Sequence, residues 1–134
     1  MVNIHTVAVI GSGTMGAGIA EVAASHGHPV LVYDIDAAAI SRAVDGIRQR
    51  LSSRVARGKL SADAGEQILA RLTPVTTISA LAKADLVIEA ASERLEVKKA
   101  LFTQLAEVCP PQTLLASNTS SISVTAIAAE KIGR

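Results

Sequence analysis

Gly11, Gly13 and Gly16 fall at the spacing G-x-G-x-x-G in Gly11-Ser12-Gly13-Thr14-Met15-Gly16, directly after the aliphatic run Val7-Ala8-Val9-Ile10. The next apolar run closes on an acid, Asp34, 18 residues after Gly16. Glycine at the first position permits a tight strand-to-helix turn. At the second it removes the side chain that would bar a pyrophosphate, and at the third it lets the new helix lie against the strand. Unpaired N–H groups at that helix start face the anion, so Ser12, Thr14 and Met15 join the three glycines as candidate cofactor-binding residues. Asp34 would accept hydrogen bonds from the adenosine ribose hydroxyls and repel a 2′-phosphate, which points to NAD rather than NADP. Ile35-Asp36-Ala37 follows, so no arginine comes close behind Asp34 to clamp a 2′-phosphate. Asp36 reads as a helix cap, a role that Asp34 fits poorly.

These groups need strands and helices to hold them. Continuous aliphatic runs at 6–10, 30–34, 85–89 and 113–117 suit strands covered on both faces. Met15, Ile19, Val22 and Ala23 share one helical face, expected to meet the core, and Gly27 offers a stop after His26. Behind the Asp36 cap, Ile40, Val44, Ile47, Leu51 and Val55 keep a helical spacing up to the break at Gly58. Ser61 opens a second helical stretch with Ile68, Leu69 and Leu72 buried, which Pro74 is expected to end before a short strand Val75-Thr76-Thr77. The two stretches predict a helical hairpin over about 36–72, inserted between strands. Val97, Leu101, Leu105 and Val108 mark a further helix stopped by Pro110-Pro111, and Ser121 or Ser123 would cap a last one containing Ile127. Strand alternating with helix implies an α/β fold, a Rossmann-type doubly wound parallel sheet. No internal repeat or linker divides the chain, so residues 1–134 read as one domain.

Bulk composition narrows the function classes. The 134 residues are 49% hydrophobic with no Trp, one Tyr and one Phe, so the core must be aliphatic. A net charge of +1 gives no general pull toward nucleic acid or membrane. The single cysteine, Cys109, excludes an intrachain disulfide and suits a reducing compartment, and no metal-ligand set is evident. With no basic leader and no apolar run near 18 residues, a cytoplasmic location is expected.

Ligands of such sheets bind beyond the carboxyl ends of the strands, which draws attention to Glu89 to Lys98 and to Ser117 to Ser121. Lys98 lies five residues after Glu93, about one and a half helical turns. A capping carboxylate and a solvated lysine would give the same pattern. Ser117-Asn118-Thr119-Ser120-Ser121 sets five small polar residues after a strand, where cofactor and substrate could meet, although a turn with an N-cap also has this composition.

Together, Gly11 to Ala20, Ile88-Glu89-Ala90, Glu93 to Lys98 and Ser117 to Ser121 resemble the N-terminal NAD-binding domain of 3-hydroxyacyl-CoA dehydrogenases. The likeness is greatest to bacterial phenylacetate-pathway members acting on 3-hydroxyadipyl-CoA or 3-hydroxybutyryl-CoA. It implies that Glu93 and Lys98 contact the nicotinamide ribose side of NAD, and that Ser120 is a catalytic residue lying between nicotinamide and the substrate oxygen. It also implies that the hairpin holds the CoA nucleotide. Arg50, Arg54 and Arg57, spaced four and three along one helix flank, would meet its phosphates, though an ordinary solvated basic face has the same look. Arg57 best matches a basic family position, whereas Arg50 replaces what is often a small hydroxyl residue.

The family's general base is a histidine in a His-Phe-Phe-Asn-Pro segment, and a C-terminal helical domain completes its acyl pocket and makes a homodimer. The chain stops at Arg134 before such a segment, and His5, His26 and His28 do not match the base position. The expectation is therefore a fragment that binds NAD(H) with negligible turnover. A related β-hydroxyacid dehydrogenase, which would lack the hairpin and the Ser117 to Ser121 pattern, and a non-catalytic nucleotide-binding module remain as alternatives.

Overall fold

The computed structural model describes residues 4–90 and 95–117, with the backbone alone at 95–98 and 117. Strands β1 (Val7–Ile10), β2 (Val30–Tyr33), β3 (Leu72–Val75), β4 (Leu86–Glu89) and β5 (Leu114–Ser117) form one sheet in the order β3-β2-β1-β4-β5. Every adjacent pair is parallel. Helices α1 (Thr14–Ser25), α2 (Ala37–Ala56) and α3 (Ala62–Ala70) cover one face, where Val7, Val9, Val30, Val32 and Leu72 meet Ala17, Ala20, Ile40, Ile47, Leu51 and Ile68. Helix α4 (Leu95–Val108) and a 3₁₀ turn at Ile78–Lys83 cover the other, where Ala8, Ile10 and Val87 meet Leu81, Phe102 and Leu105. Alternate residues of β1 thus enter different cores. This is why the strand reads as an unbroken apolar run and belongs to a doubly wound parallel sheet.

Local chemistry sets the boundaries. The Asp36 carboxylate accepts the Ala38 N–H and starts α2, and the Ser61 hydroxyl accepts the Ala64 N–H and starts α3. Gly58, at φ +73°, turns the chain between them, so α2 and α3 form the expected hairpin and carry the crossover from β2 to β3. At the opposite edge from the glycine turn, the Asp85 carboxylate accepts the N–H groups of His5 and Thr6, both at 2.9 Å, and ties the start of β1 to β4.

Two expectations fail. The strand placed at Val75-Thr76-Thr77 begins instead at Leu72 and contains Pro74, so Leu72 is buried as a strand residue rather than a helical one. β3 pairs only with β2, and an edge strand tolerates proline because the missing N–H falls on the side that needs no ladder bond. The α1 face expected to meet the core does so only in part: Ile19 and Ala23 pack against it half-buried, whereas Met15 and Val22 are 60% exposed. Gly16, Ala17, Ala20 and Ala24 are buried instead, because small side chains let the helix lie close on β1 and β2.

Candidate functional site

The carboxyl ends of β1, β2 and β4 lie side by side, with Ile10 in register with Tyr33 on one flank and Glu89 on the other. The crossovers from β1 and β4 leave on opposite faces, so a crevice opens at this edge, the usual ligand site of such sheets. Gly11 enters the turn at φ +99° and donates its N–H to the Tyr33 carbonyl at 2.8 Å. A Cβ on Gly16 would stand 1.7 Å from the Gly11 carbonyl oxygen, so only glycine lets α1 start where it does. A Cβ on Gly13 would meet nothing within 4 Å. No contact among the described residues therefore demands glycine at this position, and its face is open. Gly13 is also the N-cap of α1 and offers no side chain to the first-turn N–H groups, and a helix N-terminus favours an anion. Thr14 and Met15 stand exposed at this helix start, while Ser12 is buried beneath it.

Ser12 is turned toward Asp34. Its backbone N–H and its hydroxyl both donate to Asp34 Oδ2 at 2.9 Å, and the Asp36 N–H donates to Asp34 Oδ1 at 2.9 Å. Burial works against the carboxylate's charge. The hydrogen bonds from Asp36 and Ser12, aided by the Arg42 guanidinium, outweigh burial and hold Asp34 below its ordinary pKa.

No arginine follows Asp34 closely in sequence, but Arg42 comes near it in the fold. One turn into α2, its Nη2 stands 3.6 Å from Asp36 Oδ2 and its charge reaches Asp34. It also lines a crevice of about 250 Å³ beside the glycine turn, together with Ser12, Gly13, Thr14, Gly46 and Arg50. Asp34 and Asp36 face this cation, so it does not stand as an open 2′-phosphate clamp. Arg42 stands eight positions after Asp34 in sequence. Only the helix start at Ala37 brings the two together.

Two other residues at this edge are Ile35, which the sequence reading did not single out, and Glu89, which it named only as part of a segment. Ile35 is 94% exposed directly after Asp34, a large apolar side chain that takes no part in the core. Glu89 is fully buried at the end of β4, in register with Ile10 and Ser117. Like Asp34, it is an acid closing an apolar run.

Glu93 and Ser120 lie outside the described residues, as does the side chain of Lys98, whose backbone falls in the first turn of α4 at this same edge. Among the arginines of the hairpin, Arg50 Nε donates to Glu21 Oε1 at 2.7 Å, joining α2 to α1. Arg54 is half-buried in the last turn of α2, and Arg57 is exposed at its C-cap.

A family model described as the 3-hydroxyacyl-CoA dehydrogenase NAD binding domain matches residues 6–133. The chain belongs to this family. Its cofactor is NAD, and the residues present fit a dinucleotide: an open face at Gly13, a helix start with no side-chain cap and an ionised Asp34 at the end of β2. The chain is 78% identical over 130 residues to a 3-hydroxyadipyl-CoA dehydrogenase of Escherichia coli K12, covering 97% of this chain and 27% of that protein. It is 43% identical over 120 residues to a probable 3-hydroxybutyryl-CoA dehydrogenase of Deinococcus radiodurans, covering 90% of this chain and 43% of that protein. Among solved structures, a 3-hydroxybutyryl-CoA dehydrogenase of E. coli K12 superposes with a TM-score of 0.93 at 78% identity, over 96% of this chain and 27% of that one. The chain therefore spans about a quarter to under half the length of these relatives. Among the described residues no helix is long and apolar enough to cross a membrane.

Proposed function

We propose that these residues supply the cofactor half of an NAD-dependent enzyme that oxidises a (3S)-3-hydroxyacyl-CoA to the 3-oxoacyl-CoA. The observation that carries this reading is the pairing of Gly13's open face with the Asp34 carboxylate at the sheet edge, in a chain whose relatives are named for that chemistry. Bound there, NAD would accept the hydride from C3 of the substrate. The glycine turn and the N–H groups of Thr14 and Met15 would hold the pyrophosphate, Asp34 the adenosine ribose, and Ile35 would offer apolar surface to the adenine. Glu93 and Lys98 are assigned to the nicotinamide ribose side, and Ser120 to the substrate oxygen.

The proton of the substrate hydroxyl needs a base. No histidine of these 134 residues stands in a His-Phe-Phe-Asn-Pro segment, so the base is assigned to polypeptide that the longer relatives possess in addition. The acyl pocket and a homodimer contact are assigned to the same additional polypeptide, and the location to the cytoplasm. Arg54 and Arg57 are assigned to the CoA phosphates. Arg50 could join them only by giving up Glu21.

On this reading the 134 residues bind NADH but turn over 3-hydroxybutyryl-CoA at least about 10²-fold more slowly than a relative containing the base. Calorimetric titration with NADH, alongside a steady-state assay, checks both halves. Normal turnover by the 134-residue chain would overturn the assignment of the base.

A further inference from the structure

Ser12 was expected among the residues that touch the cofactor, yet its side chain is buried and its hydroxyl is spent on Asp34 Oδ2. An ionised carboxylate offers about four lone-pair directions, two on each oxygen. Oδ2 uses both of its own on the Ser12 N–H and hydroxyl, and Oδ1 uses one on the Asp36 N–H. One acceptor direction, on Oδ1, is left for a ligand. The backbone donors of Ser12 and Asp36 would remain with any residue at those positions. The Ser12 hydroxyl is the side-chain contribution, a third donor that adds to the two backbone N–H groups and fills the remaining acceptor direction of Oδ2.

We propose that Ser12 is a positioning residue: its hydroxyl locks the Asp34 carboxylate so that a single Oδ1 acceptor site faces the adenosine ribose before the cofactor arrives. This rests on the nucleotide-binding reading of the glycine turn and adds to it a role for the second residue of the motif. A carboxylate fixed in advance gives up little side-chain freedom on binding, and an untethered one gives up more. The depressed pKa of Asp34 agrees with a carboxylate held by donors.

The test compares NADH affinity by calorimetry in the 134-residue chain, Ser12→Ala, Asp34→Ala and the double variant. Ser12→Ala is expected to weaken binding about two- to tenfold, the range that ordering one side chain spans. In the Asp34→Ala background the same change is expected to cost nothing, since Ser12 acts through Asp34. A second readout needs no cofactor: the Asp34 carboxyl titration followed by ¹³C NMR should move up in Ser12→Ala, because a donor to the charged form is lost.

Equal losses in both backgrounds would mean that Ser12 touches the cofactor itself, and would overturn the proposal. Unchanged affinity in Ser12→Ala, or an unmoved Asp34 titration, would overturn it while leaving the nucleotide site intact. Absence of NADH binding by the unsubstituted chain would overturn both. Should Ser12→Ala lose its cooperative unfolding transition, Ser12→Cys, which keeps the volume and offers only a weak donor, takes its place with the same expected outcomes.

Discussion

A methyl group added at Gly16 would stand 1.7 Å from the Gly11 carbonyl oxygen, whereas one added at Gly13 would touch nothing within 4 Å. Gly16→Ala must therefore displace backbone, and is expected to cost about 3 kcal/mol or more in urea unfolding. Gly13→Ala should stay within about 1 kcal/mol of the parent chain, the difference between glycine and alanine at an N-cap. It should nevertheless weaken NADH binding at least about tenfold, or about 1.4 kcal/mol, because on the proposed reading the methyl would stand in the pyrophosphate's approach. Similar losses of stability in both variants would mean that the two glycines serve the fold alone. Asp34 gives a pH prediction of definite sign. Hydrogen bonds from Asp36 and Ser12, with Arg42 nearby, favour its charged form despite burial, so its folded pKa lies below the unfolded one. The stability it contributes is complete above the unfolded value of about 3.9 and is lost only as pH falls through the lower folded value. Affinity for ADP-ribose, an acid-stable probe of this half-site, should accordingly be flat from pH 7 to 5 by calorimetry. A fall in affinity with its midpoint inside that interval would contradict it.

Helices α2 and α3 meet at Gly58, whose φ of +73° disfavours any side chain, so Gly58→Ala should cost about 1–2 kcal/mol. Gly46 lies inside α2 with an ordinary φ, and its added Cβ would meet only the end of the Arg50 side chain at 3.5 Å. Gly46→Ala should therefore raise stability by about 0.5–1 kcal/mol, the difference in helix propensity. Thermal unfolding of the two variants checks both signs. How far each element is legible in the sequence follows from its surroundings. β1, β2, β4 and β5 lie within a residue of the aliphatic runs that predict them: β1, β2 and β4 are interior strands covered on both faces, which leaves few polar positions, and the edge strand β5 is aliphatic at Leu114, Leu115 and Ala116 although Leu114 is exposed. β3 hides because it is not an aliphatic run: Thr73 and Pro74 are exposed at its centre, and Leu72 is its one buried residue. The orientation of α1 hides because burial there goes to glycine and alanine, which carry little apolar signal, while the larger Met15 and Val22 stay outside.

Across the whole molecule, those outer residues of α1 form an open apolar groove of about 840 Å³ with Ile4, Leu86 and Ile88. Val22→Ser on this surface should change the stability of the 134-residue chain by no more than about 0.5 kcal/mol, whereas Val32→Ala in the core should cost about 2 kcal/mol. Denaturant titration of both checks that the groove is solvent-facing, and a loss of core size at Val22 would contradict it. The candidate site was legible in part for a related reason. Gly11, Gly13, Gly16 and Asp34 declare themselves because their chemistry is fixed by residue type and spacing within one strand-turn-helix unit. Arg42 and the Ser12 hydroxyl do not, because their contacts with Asp36 and Asp34 exist only after α2 begins and β1 pairs with β2. The most direct test of the account is calorimetric titration of the 134-residue chain with NADH and with NADPH. Saturable one-to-one binding of NADH, with NADPH at least about tenfold weaker, is the predicted result. No saturable NADH binding, or equal affinity for the two, would contradict it.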